Sequence, residues 1–234
     1  MDWLDEALSV SGLCVKVQGR TLLDGVGFSA KKGETMAIVG PNGSGKTTLF
    51  RALLGIVPYT GEVKWGSGKK IGYVPQSLIS TDLPISVEEF LRFKCKAGLD
   101  RCIGYVGLHK DVLGQQLGSL SGGQLQRVLI AWVIVDNPDI LLMDEPTSGV
   151  DIGSEEPIYQ KVTQLKKSMG MTVLLISHNL HVVMHYSDHL LALNRRQTFY
   201  GPTSGLSSSR ILGLMYGSTS GIKGLERHSR RPFR

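Results

Sequence analysis

A glycine-rich segment that ends in a lysine and two threonines carries the clearest chemical pattern in this sequence. It fits the spacing Gly-x-x-x-x-Gly-Lys-Thr and lies between the apolar run Met36–Val39 and a predicted helix over Thr47–Leu54. Glycines let successive backbone N–H groups turn toward phosphate oxygens, and the helix N-terminus adds about half a unit of positive charge. The lysine would reach the β- and γ-phosphates, and the first threonine hydroxyl would ligate Mg²⁺. The pattern predicts a nucleoside triphosphate site formed by Gly40, Pro41, Asn42, Gly43, Ser44, Gly45, Lys46, Thr47 and Thr48.

Two acidic residues, Asp144 and Glu145, follow the apolar run Ile140–Met143. Ligands of open α/β sheets bind at the carboxyl ends of the strands, so we expect this pair beside the phosphate loop. Asp144 would hold Mg²⁺, directly or through water, and Glu145 would act as the general base toward the attacking water.

The segment Leu120-Ser121-Gly122-Gly123-Gln124 precedes a predicted helix over Gln124–Val135. With this segment the sequence resembles the ATP-binding-cassette (ABC) ATPases, from its start to about Gly217. The resemblance implies a head-to-tail homodimer, in which this segment of one chain closes over the γ-phosphate held by Lys46 of the other. Read without the resemblance, the segment is only a helix N-cap. The nucleotide-contacting residues that the resemblance assigns here are Ser121, Gly122, Gly123 and Gln124.

Three further positions acquire roles from the same resemblance. Gln76 matches the glutamine that contacts Mg²⁺ and senses the membrane partner. Asp151 matches the aspartate that communicates across the dimer, and His178 matches the histidine that contacts the γ-phosphate and steadies the water. The implied catalytic residues are therefore Glu145 and His178, the implied Mg²⁺ ligands are Thr47, Gln76 and Asp144, and the implied cofactors are ATP and Mg²⁺.

Two positions depart from the family pattern. Val17 stands about where the family places an aromatic residue that stacks on adenine, so we expect looser adenine selectivity and weaker nucleotide binding. Trp132 stands where arginine is common, and the sequence alone offers no physical reason for it.

These residues need an α/β scaffold to hold them. Apolar runs at Met36–Val39, Ile71–Val74, Ile140–Met143, Thr172–Ile176 and Leu190–Leu193 predict buried strands, and helical patterns lie between them. The expected fold is an ABC ATPase core with a mixed central sheet, flanking helices, an antiparallel β subdomain and a helical subdomain. We place the ATPase domain at residues 1–216, its helical subdomain at about 77–135, and a basic, flexible tail at 217–234.

Composition excludes several classes of protein. The chain has 234 residues and a net charge of +6. The tail has five basic residues and one acidic residue, which leaves +2 on the body, so we expect no specific nucleic-acid partner. The longest apolar run is too short to cross a bilayer, and the acidic start does not resemble a signal peptide. Three cysteines without Cys-x-x-Cys spacing suit a reducing compartment.

The stretch around Gln76 and residues 81–91 resembles the zinc and manganese importer branch of the family, the zinc-uptake ATPases in particular. This resemblance implies an ATPase bound to the cytoplasmic face of the inner membrane that powers metal uptake, most of all of zinc. Its partners would be integral-membrane permease subunits and an extracytoplasmic metal-binding protein. The alternatives are a soluble ABC clamp or scaffold in iron–sulfur assembly or on DNA, and a transporter ATPase for manganese, iron chelates or another cargo.

Overall fold

The computed structural model describes residues 5–76, 84–96, 98–147, 150 and 155–216. The described parts of the chain divide into two compact units. The first unit draws on Met1–Leu8, Ser29–Thr35 and Lys64–Ile176, and the second on Ser9–Phe28, Met36–Val63 and Ser177–Arg234. No helix in the described ranges has the length and apolar character of a membrane span.

In the first unit, three parallel strands lie side by side in the order β5 (Ile71–Val74), β6 (Ile140–Asp144) and β7 (Thr172–Ile176). Every residue of β6 and β7 is buried, as expected for parallel strands that are covered on both faces. Helix α5 (Glu156–Met169) starts with a proline in its first turn and ends at Gly170, whose φ of 67° provides a left-handed C-cap.

The rest of the first unit is mostly helical. Helices α2 (Val87–Arg92), α3 (Leu99–Tyr105) and α4 (Gly122–Ile134) contact one another, and two short 3₁₀ turns connect α3 to α4. Helix α2 ends at Arg92, where the backbone tightens into i→i+3 hydrogen bonds at Phe93 and Lys94.

In the second unit, strands β3, β8 and β9 lie side by side in that order. Strand β3 (Thr35–Val39) pairs in parallel with β8 (His189–Asn194), and β8 pairs antiparallel with β9 (Arg196–Pro202). Helix α1 (Lys46–Leu53) follows β3 after the glycine-rich loop. Helices α6 (Leu180–Tyr186) and α7 (Ser208–Tyr216) complete a buried cluster of Ala37, Val39, Val183, Leu190, Ala192, Ile211 and Met215.

Strands β1 (Glu6–Val17), β2 (Arg20–Lys31) and β4 (Thr60–Trp65) pair in the order β2–β1–β4. Gln18 and Gly19, with φ angles of 47° and 76°, form the two-residue turn between β1 and β2. Two left-handed residues are the signature of a tight hairpin, so β1 and β2 are antiparallel, as expected for an antiparallel β subdomain. The predicted mixed α/β fold is thus confirmed.

Candidate active site

The glycine-rich loop between β3 and α1 requires glycine at two positions. At Gly40, which has a φ of 148°, an added Cβ would lie 2.1 Å from the carbonyl oxygen of Leu193. At Gly45, which has a φ of 101°, the same atom would lie 2.5 Å from Cδ2 of Leu23. Side chains at these two sites would therefore push the loop away from the strands that support it.

Lys46 is the first residue of α1 and is only 6% exposed. Its Nζ donates hydrogen bonds to the carbonyl oxygens of Gly40, at 2.9 Å, and Pro41, at 3.2 Å. The ammonium group is thus held inside the curve of the loop by the loop's own carbonyls. Its fixed position presents a positive charge to a group bound in the loop.

Ser44 adds a second polar atom to this loop. The residue is 2% exposed, and its Oγ has no hydrogen-bond partner among the described residues. A buried hydroxyl without a partner costs free energy, and a polyanionic ligand would accept its hydrogen bond. The glycine contacts, the buried lysine and this hydroxyl together fit the phosphates of a nucleotide.

The two acidic residues at the end of β6 lie in different environments. Asp144 is fully buried and pairs in register with Ile176 of β7. Glu145 is half-buried, its N–H donates to the carbonyl oxygen of Ile176 at 3.1 Å, and its φ is 46°. A non-glycine residue in the left-handed region is strained, and such strain concentrates at functional sites.

The side chain of Gln76 contacts Glu145 directly. Its Nε2 donates to Oε2 of Glu145 at 2.7 Å, across 69 residues of sequence. This bond orients the carboxylate of Glu145. Because the amide nitrogen of Gln76 points to Glu145, the amide oxygen points in a different direction. The sequence predicts a role for each residue, but nothing in it indicates that the two side chains are in contact.

The residues considered for Mg²⁺ offer oxygen ligands only. Thr47 brings a hydroxyl, Gln76 an amide oxygen and Asp144 a fully buried carboxylate. Hard oxygen ligands, few of them charged, suit Mg²⁺ bound together with nucleotide phosphates. This donor set therefore fits the ion.

Ser121 is the N-cap of α4. Its hydroxyl accepts from the N–H of Gln124 at 3.3 Å, and Oε1 of Gln124 accepts from the N–H of Ser121 at 3.0 Å. Ser121 and Gly122 are exposed, whereas Gly123 is buried. This reciprocal capping box stabilises the start of the helix, and it leaves the two exposed residues at the protein surface.

His178 lies between the end of β7 and the N-cap of α6. The residue is half-buried. The next residue, Asn179, caps α6 by accepting hydrogen bonds from the N–H groups of His181 and Val182.

Some of the predicted residues lie outside the part of the chain that the structure describes. These are Asp151, residues 81–83 of the segment that resembles metal importers, and the predicted tail.

Trp132 now has a physical explanation. Its ring stacks on that of Phe90, with centroids 5.5 Å apart, and Nζ of Lys94 lies 3.7 Å from the centroid of the Trp132 ring. Lys94 also pairs with the carboxylate of Asp136. Because an aromatic ring attracts a cation, tryptophan stabilises the position of Lys94, whereas arginine would place a second positive charge beside it.

Val17, at the other departure from the family pattern, is the last residue of β1 and is 40% exposed. An exposed side chain at a strand end is accessible to a ligand, but valine has no aromatic face for stacking.

A turn that the sequence did not predict as functional also touches the glycine-rich loop. The N–H of Arg195, between β8 and β9, donates to the carbonyl oxygen of Ser44 at 2.8 Å. Backbone groups carry no residue-type signature, so motif reasoning could not find this contact. The positive φ of Arg195, 60°, marks the special conformation of this turn, and it is visible only in the structure.

Comparison with known proteins agrees with this geometry. The family model described as ABC transporter matches residues 23–148, which is more than half of the chain. A zinc import ATP-binding protein, ZnuC, from Roseobacter denitrificans is 41% identical over 216 residues, which are 90% of this chain and 84% of the relative. ZnuC from a Jannaschia species is 38% identical over 90% of this chain and 88% of its own length.

A solved ATP-binding cassette, a dimer in a post-hydrolysis state with ADP and Pi bound, superposes with a TM-score of 0.70. It is 26% identical in sequence, and the match covers 85% of this chain and all of that cassette. The extent of these matches, together with a phosphate-binding loop of the required geometry, identifies this chain as a member of the ABC transporter family, among its ATP-binding subunits.

Proposed function

We propose that this chain is the ATP-hydrolysing subunit of an ABC importer that powers the uptake of zinc through separate permease subunits. The contact between Gln76 and Glu145 is the structural observation that carries the ATPase part, because it joins the proposed base to the residue proposed to sense the permease. The ZnuC relatives, each matched over more than four-fifths of its length, support zinc as the cargo.

The proposed site binds ATP through the loop of residues 40–48. Backbone N–H groups of the loop and of the first turn of α1 bind phosphate oxygens, and Lys46 neutralises charge on the β- and γ-phosphates. Thr47, Gln76 and Asp144 would hold Mg²⁺, which supplies charge neutralisation at the phosphates when it is bound.

Glu145 is the proposed general base. It takes a proton from water as the water oxygen bonds to the γ-phosphorus, while the bond from that phosphorus to the bridging oxygen of ADP breaks. The products are ADP and phosphate. The hydrogen bond from Gln76 holds the Glu145 carboxylate in one orientation, and His178 would contact the γ-phosphate and steady the water.

The proposed active form is a homodimer. Ser121, Gly122, Gly123 and Gln124 of one copy would close over the nucleotide held by the other, with Asp151 communicating across the interface. The dimeric cassette with bound ADP and Pi supports this arrangement. We place the dimer on the cytoplasmic face of the inner membrane, against a permease that receives metal from an extracytoplasmic binding protein.

Metal uptake by cells that lack this gene tests the proposal. Cells complemented with the wild-type chain should regain uptake of radioactive zinc, and cells complemented with Glu145→Gln should not. Parallel manganese and iron-chelate uptake identifies another cargo if zinc uptake is unchanged. Capture of the tagged chain from solubilised membranes should recover a polytopic permease; recovery of soluble partners alone would favour the clamp or scaffold alternative.

A further inference from the structure

We propose that Asp24 and Arg196 form a brace that positions the phosphate loop, and that both are positioning residues for nucleotide binding. This inference rests on the proposed ATP site at residues 40–48. It concerns two residues of the second unit that lie outside the motifs described above.

Two separate elements support the phosphate loop. Strand β2 supports it at Gly45, where an added Cβ would lie 2.5 Å from Leu23 and 3.1 Å from the carbonyl oxygen of Leu22. The end of β8 supports it at Gly40, next to the carbonyl oxygen of Leu193. The loop is therefore packed tightly against both elements, so its shape depends on their relative position.

Asp24 joins β2 to the turn that follows β8 and to the first residue of β9. Its backbone N–H donates to the carbonyl oxygen of Arg195 at 2.9 Å. Its Oδ2 accepts from Nε of Arg196 at 2.7 Å and lies 2.5 Å from Nη2 of the same guanidinium. Farther along the strands, the N–H of Gly27 donates to Oε1 of Gln197 at 3.1 Å, which adds a second connection between β2 and β9.

The peptide groups of Arg195 transmit this connection to the loop. The carbonyl oxygen of Arg195 accepts from Asp24, while its N–H donates to the carbonyl oxygen of Ser44 at 2.8 Å. In a trans peptide the C=O and the following N–H point in opposite directions. Fixing the Ser44 carbonyl toward the turn therefore points the Gly45 N–H away from the turn, to the side available for a phosphate.

The turn needs such a brace because its conformation is strained. Arg195 has a φ of 60°, which a non-glycine residue adopts at a cost. Contacts on both sides of the residue hold it there. Loss of the Asp24–Arg196 pair would let the turn relax and would release the Ser44 carbonyl, so nucleotide affinity should fall while the chemical step is kept.

The test compares Asp24→Asn and Arg196→Gln with a pair of similar exposure outside the site, Glu88 and Arg92 on α2. An exposed ion pair contributes little, so we expect the KM for ATP, and the Kd of a non-hydrolysable analogue, to rise about two- to fivefold. The kcat should change less than twofold, and the KM difference should shrink at high salt. Glu88→Gln should leave both constants unchanged.

A charge-exchanged double variant, Asp24→Arg with Arg196→Asp, should return the KM toward the wild-type value because it restores the pair. The proposal is wrong if the single variants bind ATP as tightly as the wild type, or if the charge-exchanged variant does not lower the KM from the value of the single variants. Failure of the wild type itself to bind ATP would instead overturn the proposed function.

Discussion

Two helices begin at glycine-containing motifs in this chain, and their N-termini differ. The N-cap of α1 is Gly45, which has no side chain with which to cap the helix. The N-cap of α4 is Ser121, which exchanges hydrogen bonds with Gln124 in a capping box. Neither helix has an acidic residue in its first turn, so each presents the positive end of its dipole without a neighbouring negative charge.

This difference separates the proposed roles of the two N-termini. The uncapped start of α1, with buried Lys46 beside it, is arranged to bind an anion within one chain. At the start of α4 the capping box already occupies the N–H groups of Ser121 and Gln124, so a phosphate must compete with the box for these two donors. Such a site suits a ligand that arrives already bound to a second copy of the chain.

Glu145→Gln should produce the largest effect. The amide can still accept the hydrogen bond of Gln76 but cannot take a proton from water, so turnover should fall about 10²- to 10⁴-fold while ATP binding is kept. A trapped ATP complex should accumulate as a dimer in size-exclusion chromatography, with both helix N-termini in contact with one nucleotide. Glu62→Gln, an exposed change on β4, is the control, and near-normal turnover of Glu145→Gln would refute its role as the base.

Lys46→Ala should weaken ATP binding of the single chain by about 10- to 100-fold, because a charged hydrogen bond to the phosphates is lost. A fluorescent nucleotide titration measures the change, with Lys64→Ala on β4 as the control. Unchanged affinity would mean that α1 is not the anion-binding helix.

Changes at Ser121 separate capping from phosphate contact. Alanine should cost about 1 kcal/mol of stability through loss of the cap and lower turnover by up to about tenfold. Aspartate caps well but introduces a negative charge, so Ser121→Asp should keep the thermal stability and lose far more activity. Neither change should alter ATP affinity of the monomer. Equal activities of the two variants would show that capping is the only role of Ser121.

The smallest expected effect is at the capping box of α2, which uses a charged glutamate where the capping box of α4 uses a neutral glutamine. The N-cap of α2 is Ser86, and Glu89 is the third residue of the helix. The pKa of Glu89 lies below its usual range, because its carboxylate accepts hydrogen bonds from the backbone N–H of Ser86 and from the Ser86 hydroxyl. A lowered folded-state pKa means that this stabilisation is present above the unfolded pKa and is lost as the pH falls through the folded value.

Hydrogen exchange at the first turns of α2 and α4 measures the prediction. Below a pH of about 4.5, the usual pKa of such a carboxyl, protection should fall at α2 but not at α4, whose cap uses neutral Gln124. Glu89→Gln should remove the difference in pH dependence. Parallel loss at both helices would contradict it.

Much of the fold could be predicted from the pattern of apolar residues in the sequence, and there are physical reasons why the other elements could not. Buried strands such as Ile140–Asp144 are continuous apolar runs, which sequence reveals directly. Helix α7 is different, because only Ile211 and Met215 of this short segment are fully buried, and they are buried by the cluster around Val183 and Leu190. Strands β4 and β9, with half-exposed alternating residues, gave a signal too weak to predict.

The sequence by itself determined the chemistry of the phosphate loop, because Lys46 bonds to the carbonyl oxygens of Gly40 and Pro41, which are only a few residues away in the chain. Only the tertiary structure decided which groups meet across long separations, such as Gln76 with Glu145 and Asp24 with Arg196, 172 residues apart. Those contacts depend on the pairing and packing of distant strands. Residue types encode which groups can bond, and packing selects the pairs that do.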